Sequence, residues 1–261
     1  MDRGAAGALA RRRGRLIVHA ELEIELQRAA GGATVARGAL AVAPFWCRWD
    51  GSTLWFVGSA ATPVGEDDIS VHVTVGEGVV ATVRSVAASV IYAGRGHGTR
   101  LRTNVEVAPG ATLRWQPEPV IVTARARHRS HTTVHAADGA AVLFDELVVM
   151  GRSDEVPGTF AASLDVRCDG TTVSLTSFDT STPGFTGPGG TAGAKVVGTR
   201  VVVDPLDALA PPSSSPSPAP RVDRSTVVLR PEGGGAIATT LAPDPVAATA
   251  QLDAALVLGA G

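Results

Sequence analysis

VHVTVGEGVVATVRS at residues 71 to 85 and TNVEVAPGATLRWQ at residues 103 to 116 are two copies of one pattern. Apolar and polar side chains alternate, the chain turns at a glycine, and the alternation resumes. TTVHAADGAAVLFDELVV (132 to 149) and LDVRCDGTTVSLTS (164 to 177) repeat it, so the turn glycines are Gly78, Gly110, Gly139 and Gly170. Strict alternation places every second side chain on one face of a strand. Glycine supplies the positive φ of a tight turn, and Pro109 and Asp138 suit the position before it. Each segment therefore reads as a β-hairpin with one apolar face. A lone hairpin cannot bury that face, but units recurring about every thirty residues can share a core by stacking. The expected fold is all-β: stacked β-hairpins forming a layered or irregular β-solenoid-like assembly, with one or two short helices.

Outward from the repeats, LEIELQRAAGGATVARGAL (22 to 40) and TVVLRPEGGGAIATTLA (226 to 242) read as two further hairpins. Between the last repeat and the latter lies PLDALAPPSSSPSPAP (205 to 220), a Pro/Ser tract with no apolar periodicity. The expected organisation is a main β domain over 1–204, a linker or loop over 205–223, and a closing hairpin and C-terminal helix over 224–261. The helix follows from PDPVAATAQLDAALVLG, where Asp244 can cap, Pro245 suits the first turn, and Ala248, Leu252, Ala255 and Leu256 keep helical spacing.

Composition narrows the function. Hydrophobic residues make up 44% of the chain but aromatic ones only 4%, which predicts a thin, layered core of small and β-branched side chains. A net charge of −2 gives no bulk attraction for nucleic acid or an anionic membrane. Lys195 is the only lysine among 23 basic residues, an arginine bias that reads first as coding bias, although arginine surfaces do suit carboxylate partners. Cys47 and Cys168 stand far apart with no CxxC spacing, so neither a disulfide framework nor a zinc site is expected. With no signal-like leader and no long apolar run, the expected location is the cytoplasm.

Catalytic patterns are missing. His128, His131 and His135 look like a metal set, yet on a strand His128 points away from the other two. His131 and His135 would lie about 13 Å apart, too far for one ion held at roughly 2 Å. Arg125, Arg127 and Arg129 would share one face of that strand, exposed and suited to docking a protein partner's carboxylates. Without interleaved aromatic residues, nucleic acid is not an expected partner. The chain has no GxSxG, no HExxH and no Gly-Lys-Ser/Thr loop, so the expected answer is no enzyme. A carbohydrate-active enzyme on a β-solenoid would need two carboxylates facing across a cleft, and a generic β-rich interaction module is the other alternative.

The order of several elements then carries a resemblance. VGEDDISVHVTVGEG (64 to 78) is followed by SVAASVIYAG with Tyr92. VAPGATLRWQPEPVIV (107 to 122), with Trp115, Pro117 and Glu118, comes next, then ARARHRSHTTVHAADGAAVLFDELVVMGR, which ends at Arg152. In this order and spacing the chain resembles the UreD (UreH) family of urease accessory proteins. It departs from that family at Val90, where a lysine is usual, in SAATPVG ahead of Glu66, and in the Pro/Ser insertion. The resemblance implies a non-catalytic scaffold that binds apo-urease and, with UreF, recruits the GTPase UreG. It implies transient passage of nickel, with no tightly bound cofactor. A passage for such an ion needs water and scattered carboxylates rather than a tight site. On that chemistry Asp67, Glu118, Asp145 and Glu146 are the candidate path residues, and Tyr92, Arg125, Arg127, Arg129 and Arg152 the candidate docking residues.

Overall fold

A computed structural model describes residues 8–12, 15–38, 40–203, 225–231 and 234–257. The Pro/Ser tract falls outside the described residues. The first part of the chain gives β1 (Ala8–Arg12), β2 (Arg15–Arg28), β3 (Thr34–Gly38), β4 (Ala41–Val42), β5 (Phe45–Trp49) and β6 (Thr53–Gly58). Next come β7 (Asp68–Val75), β8 (Val80–Ser85), β9 (Ser89–Ile91), β10 (Thr99–Val107), β11 (Thr112–Trp115) and β12 (Val120–Val122). They are followed by β13 (Arg127–Ala136), β14 (Ala141–Met150), β15 (Thr159–Cys168) and β16 (Thr171–Asp179). β17 (Val196–Val203), β18 (Thr226–Leu229), β19 (Ala236–Ala242) and the helix α1 (Pro245–Val257) complete the described chain.

Among the described residues the strands form two sheets. The first runs β1-β2-β7-β10-β13-β15-β16, with β3 paired to β2. The second runs β18-β19-β17-β14-β11-β8-β6-β5-β4, with β9 and β12 joined beside β14. The expected all-β, solenoid-like class is what the chain adopts. The local unit differs in three of the four repeats. β7 and β8 do not pair with each other; β7 lies in the first sheet and β8 in the second, and the same holds for β10 and β11 and for β13 and β14. Each turn glycine there folds an arch between sheets, and the strands stack in parallel on the preceding coil. Alternation and a glycine turn fit an arch and a hairpin equally well. What separates them is where the backbone N–H and C=O groups bond, which the local pattern does not encode. The fourth repeat is a true hairpin, β15 antiparallel to β16. So are β2–β3 and β18–β19.

Register explains why the repeats recur. Val73, Val105, Val134 and Val166 are aligned strand to strand across the first sheet, and all four are buried. They face Val83, Leu113, Val142 and Phe144 of the second sheet in one continuous core. The few aromatic residues are concentrated there: Trp115 stacks on Phe144 with ring centroids 5.5 Å apart and touches Phe56 at 6.1 Å. Adjacent coils come too close for a side chain at Gly158, where a Cβ would overlap the backbone of Ala126. Gly158→Ala should therefore cost at least about 1–3 kcal/mol, read as a lowered urea midpoint.

β14 and β17 are buried on both faces, because α1 covers the outer side of the second sheet. Ala248, Leu252 and Ala255 make that contact, while Leu256 has no described side chain. Gly198 leaves room for it, as a Cβ there would press on Leu147, Thr240 and Leu252. The helix begins as expected: Pro245 is its first residue, and the Asp244 carboxylate accepts from the Ala247 N–H at 2.8 Å. Through β17, the hairpin β18–β19 joins the same sheet as the repeats.

Candidate functional site

β14 carries two neighbouring acids, and strand alternation sends them to opposite faces. Asp145 points outward beneath α1. Its carboxylate accepts from Arg200 Nε at 2.5 Å, from Arg200 Nη2 at 2.7 Å and from Gln116 Nε2 at 3.1 Å. Arg200, 1% exposed, also donates to Asp253 of α1 at 2.7 Å. These carboxylates hold the Arg200 guanidinium above its ordinary range despite its burial. Asp145 is thus a charge-paired anchor for the helix.

Glu146 points inward, between the sheets. It pairs across the second sheet with Thr199, which pairs in turn with Thr239. These three line a cavity of about 230 Å³ whose opposite wall includes Leu164, Thr176 and Phe178 of the first sheet. Continuing across the first sheet from Leu164, Thr132 and Thr103 are also buried. The interior there carries one carboxyl, Glu146, and several hydroxyls contributed by both sheets. Among the described residues no cation pairs with Glu146, and burial pushes its carboxyl up to about 7. Near neutrality such a group exchanges its proton readily and can serve as donor or acceptor.

The other expected path residues lie elsewhere. Asp67 is buried, but its oxygens accept from Val18 N–H at 3.0 Å, Thr62 Oγ1 at 2.8 Å and Val64 N–H at 2.9 Å. It fixes the turn that leads into β7. Glu118 is exposed, and its backbone N–H donates to Ser85 Oγ. Only Glu146 opens onto the inter-sheet cavity.

The docking candidates separate into two regions. Arg127 and Arg129 are exposed on the outer face of β13. Arg125 does not share that strand: it lies in the preceding turn at φ +60°, a left-handed conformation that ends the alternation. Tyr92 and Arg152, distant in sequence, come close enough on stacked turns for the phenol to act on the guanidinium. Arg152 is paired with Glu155 at 3.1 Å, which holds that carboxyl down at about 2. His131 and His135 are exposed, as alternation requires. His128 is buried, hydrogen-bonded to Thr99 Oγ1 at 2.6 Å and stacked on Phe160. Its burial holds the imidazole down at about 4. Among the described residues no three His, Cys, Asp or Glu side chains gather to hold a metal ion, and no helix is long and apolar enough to cross a membrane.

Arg200, Thr199 and Thr239 escaped the sequence reading. An arginine alone inside VVGTRVVV is a signal that could have found the first, because a buried charge demands a partner. The threonines gave none, being ordinary strand residues.

Fold and site together define a β-solenoid-like scaffold with a small, partly polar cavity between its sheets. A sequence profile described as UreD urease accessory protein matches residues 12–258. The chain is 30% identical to a urease accessory protein UreD of Parafrankia sp. (strain EAN1pec), over 92% of this chain and 88% of that protein. It is 34% identical to urease accessory protein UreD 1 of Saccharopolyspora erythraea, over 78% and 76% of the two chains. To the UreD of Streptomyces coelicolor it is 33% identical, over 77% and 78%. The chain belongs to the UreD family of urease accessory proteins, and its broad role is in urease maturation.

Proposed function

We propose that this chain is a non-catalytic maturation factor that binds apo-urease, acts with UreF and UreG, and lets nickel pass between its two sheets. The observation that carries the reading is the inter-sheet cavity bearing Glu146, Thr199 and Thr239. Nickel here is cargo, so the lane must bind weakly enough to release it. One carboxyl with hydroxyl neighbours meets that need better than a cluster of acids. A carboxyl titrating near neutrality also couples the two ions: a divalent cation displaces the proton on arrival, and the proton returns when the cation leaves. Asp145 and Asp67 are committed to hydrogen bonds that hold α1 and the turn before β7, and Glu118 sits outside. The lane role therefore narrows to Glu146.

The test is urease activation with purified apo-urease, UreF, UreG, nickel and bicarbonate. Glu146→Gln keeps the shape and removes the charge. It should lower activation severalfold while co-purification with apo-urease and UreF is unchanged, whereas Glu118→Gln should leave activation near wild type. Full activation by Glu146→Gln would remove the residue from the lane. Failure of the wild-type chain to co-purify with apo-urease would remove the reading itself.

A further inference from the structure

We propose that the outer face of the first sheet carries a docking groove for an acidic, extended segment of a protein partner. Strand register builds it. Arg100 of β10 is aligned with Arg129 of β13, and two residues further along Arg102 is aligned with His131. Beside them, at the same levels of β15, stand Ala161 and Ser163. Long cationic side chains on one side and small ones on the next strand leave a trough, closed on its far side by Asp179 of β16 and by Thr182. Two adjoining hollows of about 730 Å³ and 530 Å³ share Arg100, Arg129, Ala161 and Asp179. The second also takes in Arg127.

The charges there do not cancel. Arg100 and Arg102 share a single carboxylate, Asp68, at 3.2 Å and 2.8 Å. Asp179 is engaged by Ser181 and meets Arg129 only through the longer-range field. Four guanidinium groups thus face two carboxylates, in a chain whose net charge is −2. A guanidinium presents a planar fork that matches a carboxylate bidentately, so the surplus selects acidic side chains. The trough runs along a strand with a floor of small residues, which fits an extended backbone. Phe178, on its lining, is stacked with Phe185 and packed on Phe160, so it offers no free face for a base. This surface lies on the outer face of the first sheet and meets the inter-sheet cavity at Ala162, Ser177 and Phe178.

The probe is a fluorescein-labelled polyglutamate peptide, with binding read by fluorescence anisotropy at about 0.1 M salt, where the Debye length is about 10 Å. The double substitution Arg102→Glu/Arg129→Glu should weaken binding at least about tenfold, since it removes and reverses two charge-assisted contacts. Ala161→Trp leaves the charge unchanged but fills the floor, and should weaken binding by a similar factor. Arg48→Glu, an exposed charge on β5 of the other sheet, should stay within about twofold because the two sites are screened from each other. Circular dichroism confirms the fold of each variant, and Ala161→Trp carries the test if the double variant does not fold. The proposal is overturned if polyglutamate binds Ala161→Trp as it binds wild type, since mere long-range attraction would do that. It is equally overturned if labelled oligothymidylate binds the same groove more tightly than polyglutamate.

Discussion

Arg200→Ala is expected to destabilise the protein by about 3–5 kcal/mol, the usual consequence of stripping one partner from a buried ion pair. The substitution leaves Asp145 beneath α1 with only Gln116 to satisfy it, and it releases Asp253 from the helix. Burial of the charge is the costly part, not the loss of attraction, so a second change should reverse most of the effect. Arg200→Met with Asp145→Leu, which removes both charges, should recover much of the lost stability. Urea unfolding of the three proteins decides the matter. A loss below about 1 kcal/mol for Arg200→Ala would mean that the pair is solvated and only weakly coupled.

The second large effect is a pair of opposed pH dependences. His128 is held neutral, down at about 4 in the fold, against an ordinary value of 6.5. Between those values the unfolded chain binds the extra proton, so this contribution is complete above pH 6.5 and is lost as pH falls towards 4. Glu146 runs the other way, pushed up to about 7 from an ordinary 4.5. The folded chain binds the extra proton there, so its contribution is complete below pH 4.5 and is lost as pH rises through 7. Each shift corresponds to about 3 kcal/mol at most, less for Glu146 because its carboxyl keeps an edge on the cavity. In wild type the two slopes offset each other between pH 4.5 and 6.5. Glu146→Gln should expose the histidine slope, with stability rising with pH, and His128→Gln should expose the opposite slope. Urea midpoints across that window would show parallel curves for all three proteins if neither group is perturbed.

Much of this architecture could be read from residues 71 to 177, because a buried sheet face imposes period two and a stacked coil imposes a recurring glycine. The class of fold and the capped helix were legible on that basis. The arches were not, since Gly78 and Gly170 sit in the same local pattern yet turn the chain in different directions. The partner strand that decides between them lies about thirty residues away. Among the candidate site residues, Asp145 and Glu146 looked equivalent as a neighbouring acid pair. Only the position of α1 on one side and of β15 and β16 on the other gives them different roles. Arg100 and Arg102 drew no attention because their basic neighbours, Arg127 and Arg129, lie on another strand. A charge cluster assembled across strands leaves no run in the sequence.

The direction of the strands has a consequence for assembly. In the middle of the molecule β2, β7, β10, β13 and β15 run parallel, as do β6, β8, β11 and β14. An open parallel coil would be a template on which an identical coil from another molecule could continue the stack without limit. Here each sheet reverses before it ends: β16 and β17 turn antiparallel at one end, and β3 and β5 at the other. The terminal strands therefore do not repeat the parallel pairing of the central coils. The parallel stack is thereby confined to the middle of the molecule, and a second copy adding at either end would meet strands paired antiparallel, not the parallel edge of a central coil.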